Sequence, residues 1–292
     1  MTVTALFVGD ASLDLTLRIP RLPDPDEKLH VDAIEEAPGG VVANAAVAAA
    51  RAGASVRLLM RLGNDLASDR VWAQLHGVGL AVEAQRGDGP LCRTVMLLDP
   101  GGEKRLLLHP GQSMYPTQAQ VRGVALTRVG WVHTAAYDPE AAAELAARCR
   151  AACIPWSIDL EPATFPAGID ALAPVLRGAT TVFCNARAAA RLGPGFIGTL
   201  HELGVSAVVA TLGAGGAVWH QSGETIAVPA PAVTAIDTTG AGDCLAGWFV
   251  AATLRGAGPS DALHAAVAAA TFSCRRIGAQ ASFPFPEDLP AS

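Results

Sequence analysis

The chain has 292 residues, 51% of them hydrophobic and 16% charged, with 21 basic against 27 acidic side chains and a formal net charge of −6. That length suits one large α/β unit with a small appendage, and the apolar fraction is enough for a substantial core. An acidic balance with no basic cluster argues against nucleic acid as a partner, and no apolar run is long enough to argue for a membrane.

The expected elements alternate along the chain. A strand over residues 4–8 leads into 13–37, a stretch broken by Pro20, Pro23 and Pro25 with only short alternating pieces around them. A helix is expected over 41–52, a strand over 56–62 and a helix over 65–76. Residues 91–108 read as a hairpin, with strands 94–98 and 104–108 around the turn Asp99-Pro100-Gly101-Gly102. Strands over 129–133, 155–158, 180–184 and 207–211 then alternate with helices over 139–153 and 194–203, and a long Ala-rich helix follows residue 243. The alternation implies a mostly parallel sheet with helices on both faces.

Met1-Thr2 runs into the first strand without a basic leader, so the chain reads as cytoplasmic. The six cysteines (Cys92, Cys149, Cys153, Cys184, Cys244, Cys274) form no disulfide-like or zinc-like framework. Cys149 and Cys153 are four apart on an expected helix and would share a face, but no histidine or second cysteine pair completes a metal site.

The most informative run is Asp237-Thr238-Thr239-Gly240-Ala241-Gly242-Asp243, set between a Pro-containing stretch and the long helix. Gly240 and Gly242 allow a sharp turn and leave N–H groups uncovered. The first amides of a helix lack internal partners and carry the positive end of its dipole, which suits a phosphate. A carboxylate at the same point, Asp243, would repel that phosphate unless it takes a proton from an attacking hydroxyl. Taken alone, Asp243 also reads as a plain helix-start residue.

A second run, Ala37-Pro38-Gly39-Gly40-Val41-Val42-Ala43-Asn44, opens the expected helix over 41–52. Gly39 and Gly40 permit a hinge or a close approach to a ligand, and Asn44 offers a donor and an acceptor on an otherwise apolar first turn.

These two runs resemble the two signatures of the ribokinase-like (PfkB) family of carbohydrate kinases. Gly63-Asn64-Asp65, Thr211-Leu212-Gly213 with Gly216, and residues 275–282 match further elements in family order, so the resemblance covers nearly the whole chain. It implies a ribokinase-like α/β fold, with a core of residues 1–12, 38–90 and 109–292 under a small β-lid of residues 13–37 and 91–108. It implies an ATP-dependent kinase that phosphorylates a hydroxymethyl group of a sugar or sugar-like substrate. By resemblance Asp243 is the catalytic base, and the Gly240, Ala241 and Gly242 amides form the anion hole. Ser12, Asp14, Gly39, Gly40, Asn44 and Asp243 would hold the substrate. Asn185, Thr211, Gly213, Gly216 and Gly242 would line the ATP site. Magnesium would bridge the ATP phosphates. Asp237, Thr239, Ser273, Arg276, Gly278 and Ser282 would hold a potassium ion. The lid would need a partner for its apolar side, which implies a homodimer through the lid.

The departures from the family fall at the metal site and the sugar-reading end. The family's N-x-x-E element reads Asn185-Ala186-Arg187-Ala188 here, without its acid. Val41 and Val42 follow the glycine pair where ribokinases have Lys and Gly, Ser12 stands where they have Asn, and a Glu is missing near Ala135-Ala136-Tyr137-Asp138. Ribose is therefore disfavoured as the acceptor, and a nucleoside, a phosphosugar or an acidic sugar stays open. Arg93 and Arg105 are the candidate phosphate or carboxylate readers. A non-catalytic sugar- or nucleotide-binding protein that kept the fold is the reading from another class. Lys28 and Lys104 are the only lysines, so an ATP site here must rest on a helix terminus.

Other motifs do not compete. Gly193-Pro194-Gly195-Phe196-Ile197-Gly198 matches G-x-G-x-x-G but follows an expected helix, not a strand. There is no P-loop, protein-kinase signature or nucleophile elbow. His133 reads as a core histidine, while Asp159 and Glu161 sit at a strand end where ligands collect.

Overall fold

The computed structural model describes residues 3–100, 104–112 and 114–289. Nine strands of these residues form one sheet. Seven run parallel: β1 (Thr4–Val8), β4 (Ser55–Leu62), β5 (Ala81–Arg86), β8 (Val129–Ala135), β9 (Trp156–Leu160), β10 (Thr181–Cys184) and β11 (Ala207–Thr211). An antiparallel hairpin, β12 (Ala217–Gln221) and β13 (Glu224–Val228), extends one edge, giving the order β13-β12-β11-β10-β9-β8-β1-β4-β5. The central strands are apolar and buried on both sides, as a sheet covered on two faces requires.

One face carries α1 (Val41–Arg51), α8 (Ala241–Leu254) and α9 (Pro259–Ser273) in a single core with the strands. The other carries α4 (Pro139–Ala151), with Ala188 of α6 (Ala186–Leu192) and Leu200 of α7 (Phe196–Glu202) in the same cluster. Asp138 caps α4, accepting from the Ala141 amide at 3.0 Å, ahead of a proline in the first turn. Cys153 lies past the end of that helix, exposed and at φ 53°, whereas Cys149 is buried; the shared helical face expected for them does not exist. All six thiols are free. No helix among the described residues is long and apolar enough to cross a membrane.

α1 and α8 cross closely in the core. Eight successive residues of α1, from Val42 to Ala49, are buried, and all but two of them are alanine or asparagine. Gly247 of α8 faces them, and a Cβ there would lie 2.3 Å from the Ala45 carbonyl oxygen. Small side chains let the two backbones close in, which brings the first turns of both helices together.

The second sheet has the order β3-β2-β6-β7, with β2 (Ser12–Arg18), β3 (Ala33–Gly39), β6 (Cys92–Leu98) and β7 (Lys104–His109). It is formed by the segments expected for the lid, with β2 beginning at Ser12 and β3 running on to Gly39. Gly101 and Gly102 of the expected β6–β7 turn lie outside the described residues. Strand alternation sorts the lid residues onto two faces. Asp14, Thr16, Met96, Leu98 and Lys104 line a small cavity against the core. Leu15, Leu17, Ile34, Val95, Leu97 and Leu107 occupy the opposite register positions, and Ile34 and Leu107 are exposed by 64% and 60%.

Candidate active site

Gly240 sets the start of α8. Its φ of 75° is left-handed, and a Cβ there would sit 2.7 Å from Ala279 Cβ, so the turn excludes any other residue without a shift. The amides of the first helical turn then follow, with Asp243 among them. Asn44 of α1 donates from Nδ2 to Asp243 Oδ2 at 2.8 Å, and Gln280 donates to Asn44 Oδ1 at 3.0 Å. Burial pushes the Asp243 carboxyl well above the ordinary range; the Asn44 hydrogen bond opposes this, while the nearby charges of Glu161, Asp10 and Asp14 add to it.

Asp10 is a site residue that sequence reasoning passed over. Its two carboxylate oxygens accept from the Val41 and Val42 amides at 2.8 and 3.0 Å, so it holds the start of α1 from the end of β1. Burial raises it to about 6 against those two hydrogen bonds. Gly40, at φ 102°, makes the sharp entry into α1 that allows this cap, and it leaves no room for a Cβ beside Ala11. The only signal for Asp10 in the sequence was its place after a strand and a glycine.

Asp14 accepts from Ser12 Oγ at 2.7 Å, and burial raises its carboxyl while Ser12 and Thr94 hydrogen bonds lower it. Gly39 lies directly against it; a Cβ there would be 1.9 Å from Asp14 Oδ2. Ser12, Asp14 and Gly39 therefore meet at one end of the β2–β3 pair, where Ser12 lies opposite Gly39.

Thr211, Gly213, Gly216 and Gly242 line one cavity of about 480 Å³, with Thr238, Ala241, Leu245, Val267, Thr271 and Cys274 among the other walls. Gly216, at φ 91°, turns β11 into β12 where a side chain would strike the Val228 carbonyl. Asn185 stands outside this lining. It caps α6, accepting from the Ala188 amide at 2.9 Å, and donates to Glu161 Oε1 at 3.1 Å. Ala188 is fully buried. Glu161 and Asp159 approach the same region from the end of β9; burial raises both, more strongly for Asp159, where the Glu161 and Asp243 charges add to it. Tyr137 lies close enough to Asp10, Glu161, Asp159 and Asp243 that their charges, after burial, raise its phenol.

The carboxylate expected to hold potassium is already occupied. Asp237 Oδ1 accepts from Lys104 Nζ at 2.8 Å, from the Thr239 amide at 2.9 Å and from Thr239 Oγ1 at 2.6 Å, and Oδ2 accepts from the Gly278 amide at 3.0 Å. Ser273 and Ser282 turn their hydroxyls to the Ala270 and Ala279 carbonyls, and the Arg276 guanidinium lies over the Phe272 ring. A lysine ammonium on the same carboxylate, with the Ser273 and Ser282 hydroxyls turned to main-chain carbonyls, is not a donor set for a cation, so the residues present do not fit potassium at Asp237.

His133 is a core residue, as read from its strand: fully buried, bonded through Nδ1 to Ser157 Oγ at 2.8 Å and lowered by burial to about 3, hence neutral. Gly193 ends α6 and Gly195 precedes α7, so the G-x-G-x-x-G match joins two helices and is not a strand–helix turn.

A model of the pfkB family carbohydrate kinases matches residues 4–286. The chain belongs to that family. Membership makes it an ATP-dependent phosphotransferase with an alcohol group as acceptor. Among characterised relatives it is similar to an ATP-dependent ribose-1-phosphate kinase of Halopiger xanaduensis, 27% identical with 96% of this chain and 95% of that protein covered. It is also similar to the ribokinase of Mus musculus, 27% identical over 98% and 93% of the two chains. Among solved structures, the ribokinase of Thermotoga maritima superposes with a TM-score of 0.83 at 25% identity, covering 99% of this chain and 98% of that one. The α/β architecture with its second small sheet is the ribokinase fold.

Proposed function

We propose that the kinase phosphorylates a hydroxymethyl group of a neutral sugar or sugar-like acceptor, with Asp243 as general base. The observation that carries this is the meeting of Asn44, Asp243 and the glycine turn at one point, between the large cavity and the lid. ATP would lie in the 480 Å³ cavity with its terminal phosphate toward the first amides of α8. Asp14, Gly39, Gly40 and Asn44 would meet the acceptor hydroxyls, with Ser12 fixing Asp14. Asp243 would accept the proton of the attacking hydroxyl while the amides after Gly240 take up charge on the transferring group. Its raised affinity for protons suits a base working near neutrality.

Magnesium, held mainly by the ATP phosphates and water, would be met by Glu161 and Asp159. Glu161 accepts from Asn185, which itself caps the helix at the buried Ala188 that replaces the family's acid. When bound with the nucleotide the metal would neutralise phosphate charge.

The acidic- or phosphosugar reading loses its two candidate arginines. Arg93 is paired with Asp65 at 3.0 Å and Arg105 with Asp99 at 3.2 Å. Both occupy the lid face turned away from the cavity. That same face, with Leu15, Leu17, Ile34, Val95, Leu97 and Leu107, supports a homodimer through the lid.

The test is ADP release with ATP and magnesium across pentoses, hexoses, ketoses, sugar acids, phosphosugars and nucleosides. Turnover on a neutral sugar that is lost in Asp243→Asn supports the reading. Turnover confined to phosphosugars or nucleosides overturns the acceptor class, and tight ATP binding with no turnover on any acceptor favours a binding protein.

A further inference from the structure

The one lysine of the lid hairpin reaches out of the lid and into the core. Lys104 begins β7, yet its ammonium touches Asp237 and Thr239, 133 and 135 residues away, in the loop that opens α8. The contact to Thr239 Oγ1 is 2.6 Å, and that hydroxyl in turn donates to Asp237 Oδ1. Both partners of the ion pair are largely shielded, at 23% and 15% side-chain exposure. Burial would raise the Asp237 carboxyl, but the Lys104 ammonium, the Thr239 hydroxyl and the two amides together lower it to about 2.

Three properties follow from that geometry. The carboxylate is charged under all ordinary conditions. Its charge is met by the ammonium of a side chain at 2.8 Å. The charge that meets it rides on the lid, so it arrives only when the lid lies against the core. Gly278, whose amide completes the carboxylate's partners, is two residues from Gln280, which orients Asn44 beside Asp243.

We propose that Lys104 is a positioning residue whose ammonium takes the place of a monovalent cation beside Asp237 and ties lid closure to the ordering of the anion-hole loop. This rests on the phosphoryl-transfer reading of that loop. Turnover then needs no added potassium. A second cation at Asp237 would meet the ammonium at close range and be repelled. Removing the ammonium leaves a shielded carboxylate without its counter-charge, and a small cation is then drawn to it.

The test uses the full chain with chloride salts of potassium, sodium, ammonium and tetramethylammonium at one ionic strength. Initial rates of the wild type should agree within about twofold across the four salts. Lys104→Met should lose roughly tenfold or more in tetramethylammonium and recover in potassium or ammonium, an outcome that loss of packing alone would not produce. Melting midpoints read the same site without any acceptor: potassium should raise the midpoint of Lys104→Met and leave the wild type unmoved. In Lys104→Met/Asp237→Asn neither rescue should survive. Tenfold stimulation of the wild type by potassium overturns the proposal, as does a Lys104→Met enzyme that is fully active in tetramethylammonium or blind to potassium in both readouts. If no acceptor is turned over, the proposed acceptor chemistry fails while the melting comparison still decides the cation question.

Discussion

Asn44 and Asp243 are 199 residues apart in sequence and 2.8 Å apart in the fold, amide nitrogen to carboxylate oxygen. The pair sits where the first turns of two helices meet. It unites the two sequence signatures in a single hydrogen bond, and Gln280 holds the far side of the amide.

Asp243→Asn should leave ATP affinity nearly unchanged and lower kcat by roughly 10²–10⁴-fold, the usual worth of a placed general base. In the wild type the base must be deprotonated to act. Because burial and neighbouring carboxylates raise its affinity for protons, the acid limb of kcat/KM should lie above the ordinary carboxylate range. A pH–rate profile flat down to that range would remove Asp243 from the role.

Asn44→Leu should cost about 10–100-fold in kcat/KM for the acceptor, as expected for losing a hydrogen bond to a charged group worth about 1.5–3 kcal/mol. The lost bond is one that lowers the Asp243 proton affinity, so the acid limb should also move to higher pH. Steady-state kinetics over pH separates this from simple weakening of acceptor binding, which would change KM and leave the limb in place.

Gly247→Ala should destabilise the fold by about 1–3 kcal/mol, because the new methyl would collide with the Ala45 carbonyl at the helix crossing. Gly77→Ala is the natural comparison. It lies near the end of α2 (Leu66–Gly77), where a Cβ meets nothing within 4 Å, and it should stabilise by about 0.4–1 kcal/mol. Denaturant melts of the two variants should therefore move in opposite directions.

Asp10 imposes a pH slope on stability. Its folded carboxyl binds a proton up to about pH 6, while the unfolded one releases it near the ordinary 3.8. Between those values the native state holds the extra proton, so this group's contribution falls as pH rises, by about 3 kcal/mol in all. Asp237 acts with the opposite sign, adding stability above its ordinary range that is lost as pH falls toward about 2. Asp10→Asn should flatten the decline between about pH 4 and 6 in urea melts; an unchanged slope would assign the decline to the other buried carboxylates.

Much of the fold was legible because its signals are local. The apolar runs of β1, β4 and β11 and the glycine turn before α8 announce themselves within a few residues. What escaped were elements whose signals are weak or distant. Residues 259–273 form α9, but a helix of alanines packed on several sides has little amphipathic contrast to read. β5 is an edge strand with mixed polar residues, and β12 and β13 pair mainly with each other and one neighbour. In the site, the glycines, Asn44 and Asp243 were found as motifs. Asp10 was not, since an N-cap borrowed from another strand leaves no trace beside the helix it caps. Lys104 was visible as one of two lysines, but its partner depends on how the lid folds over, which no run of neighbouring residues encodes.

The walls of the 480 Å³ cavity are built from glycine, alanine, threonine, proline, valine, leucine and a cysteine, with no charged side chain among the described lining residues. A nucleotide placed there as proposed would be gripped by shape and by the fixed dipoles of helix-start amides. Salt weakens attraction between exposed ions, but it does little to a shielded peptide dipole or to a snug apolar slot. With ATP placed there as proposed, holding the nucleotide would be separate from carrying positive charge, so a net charge of −6 and the binding of a polyanion are compatible.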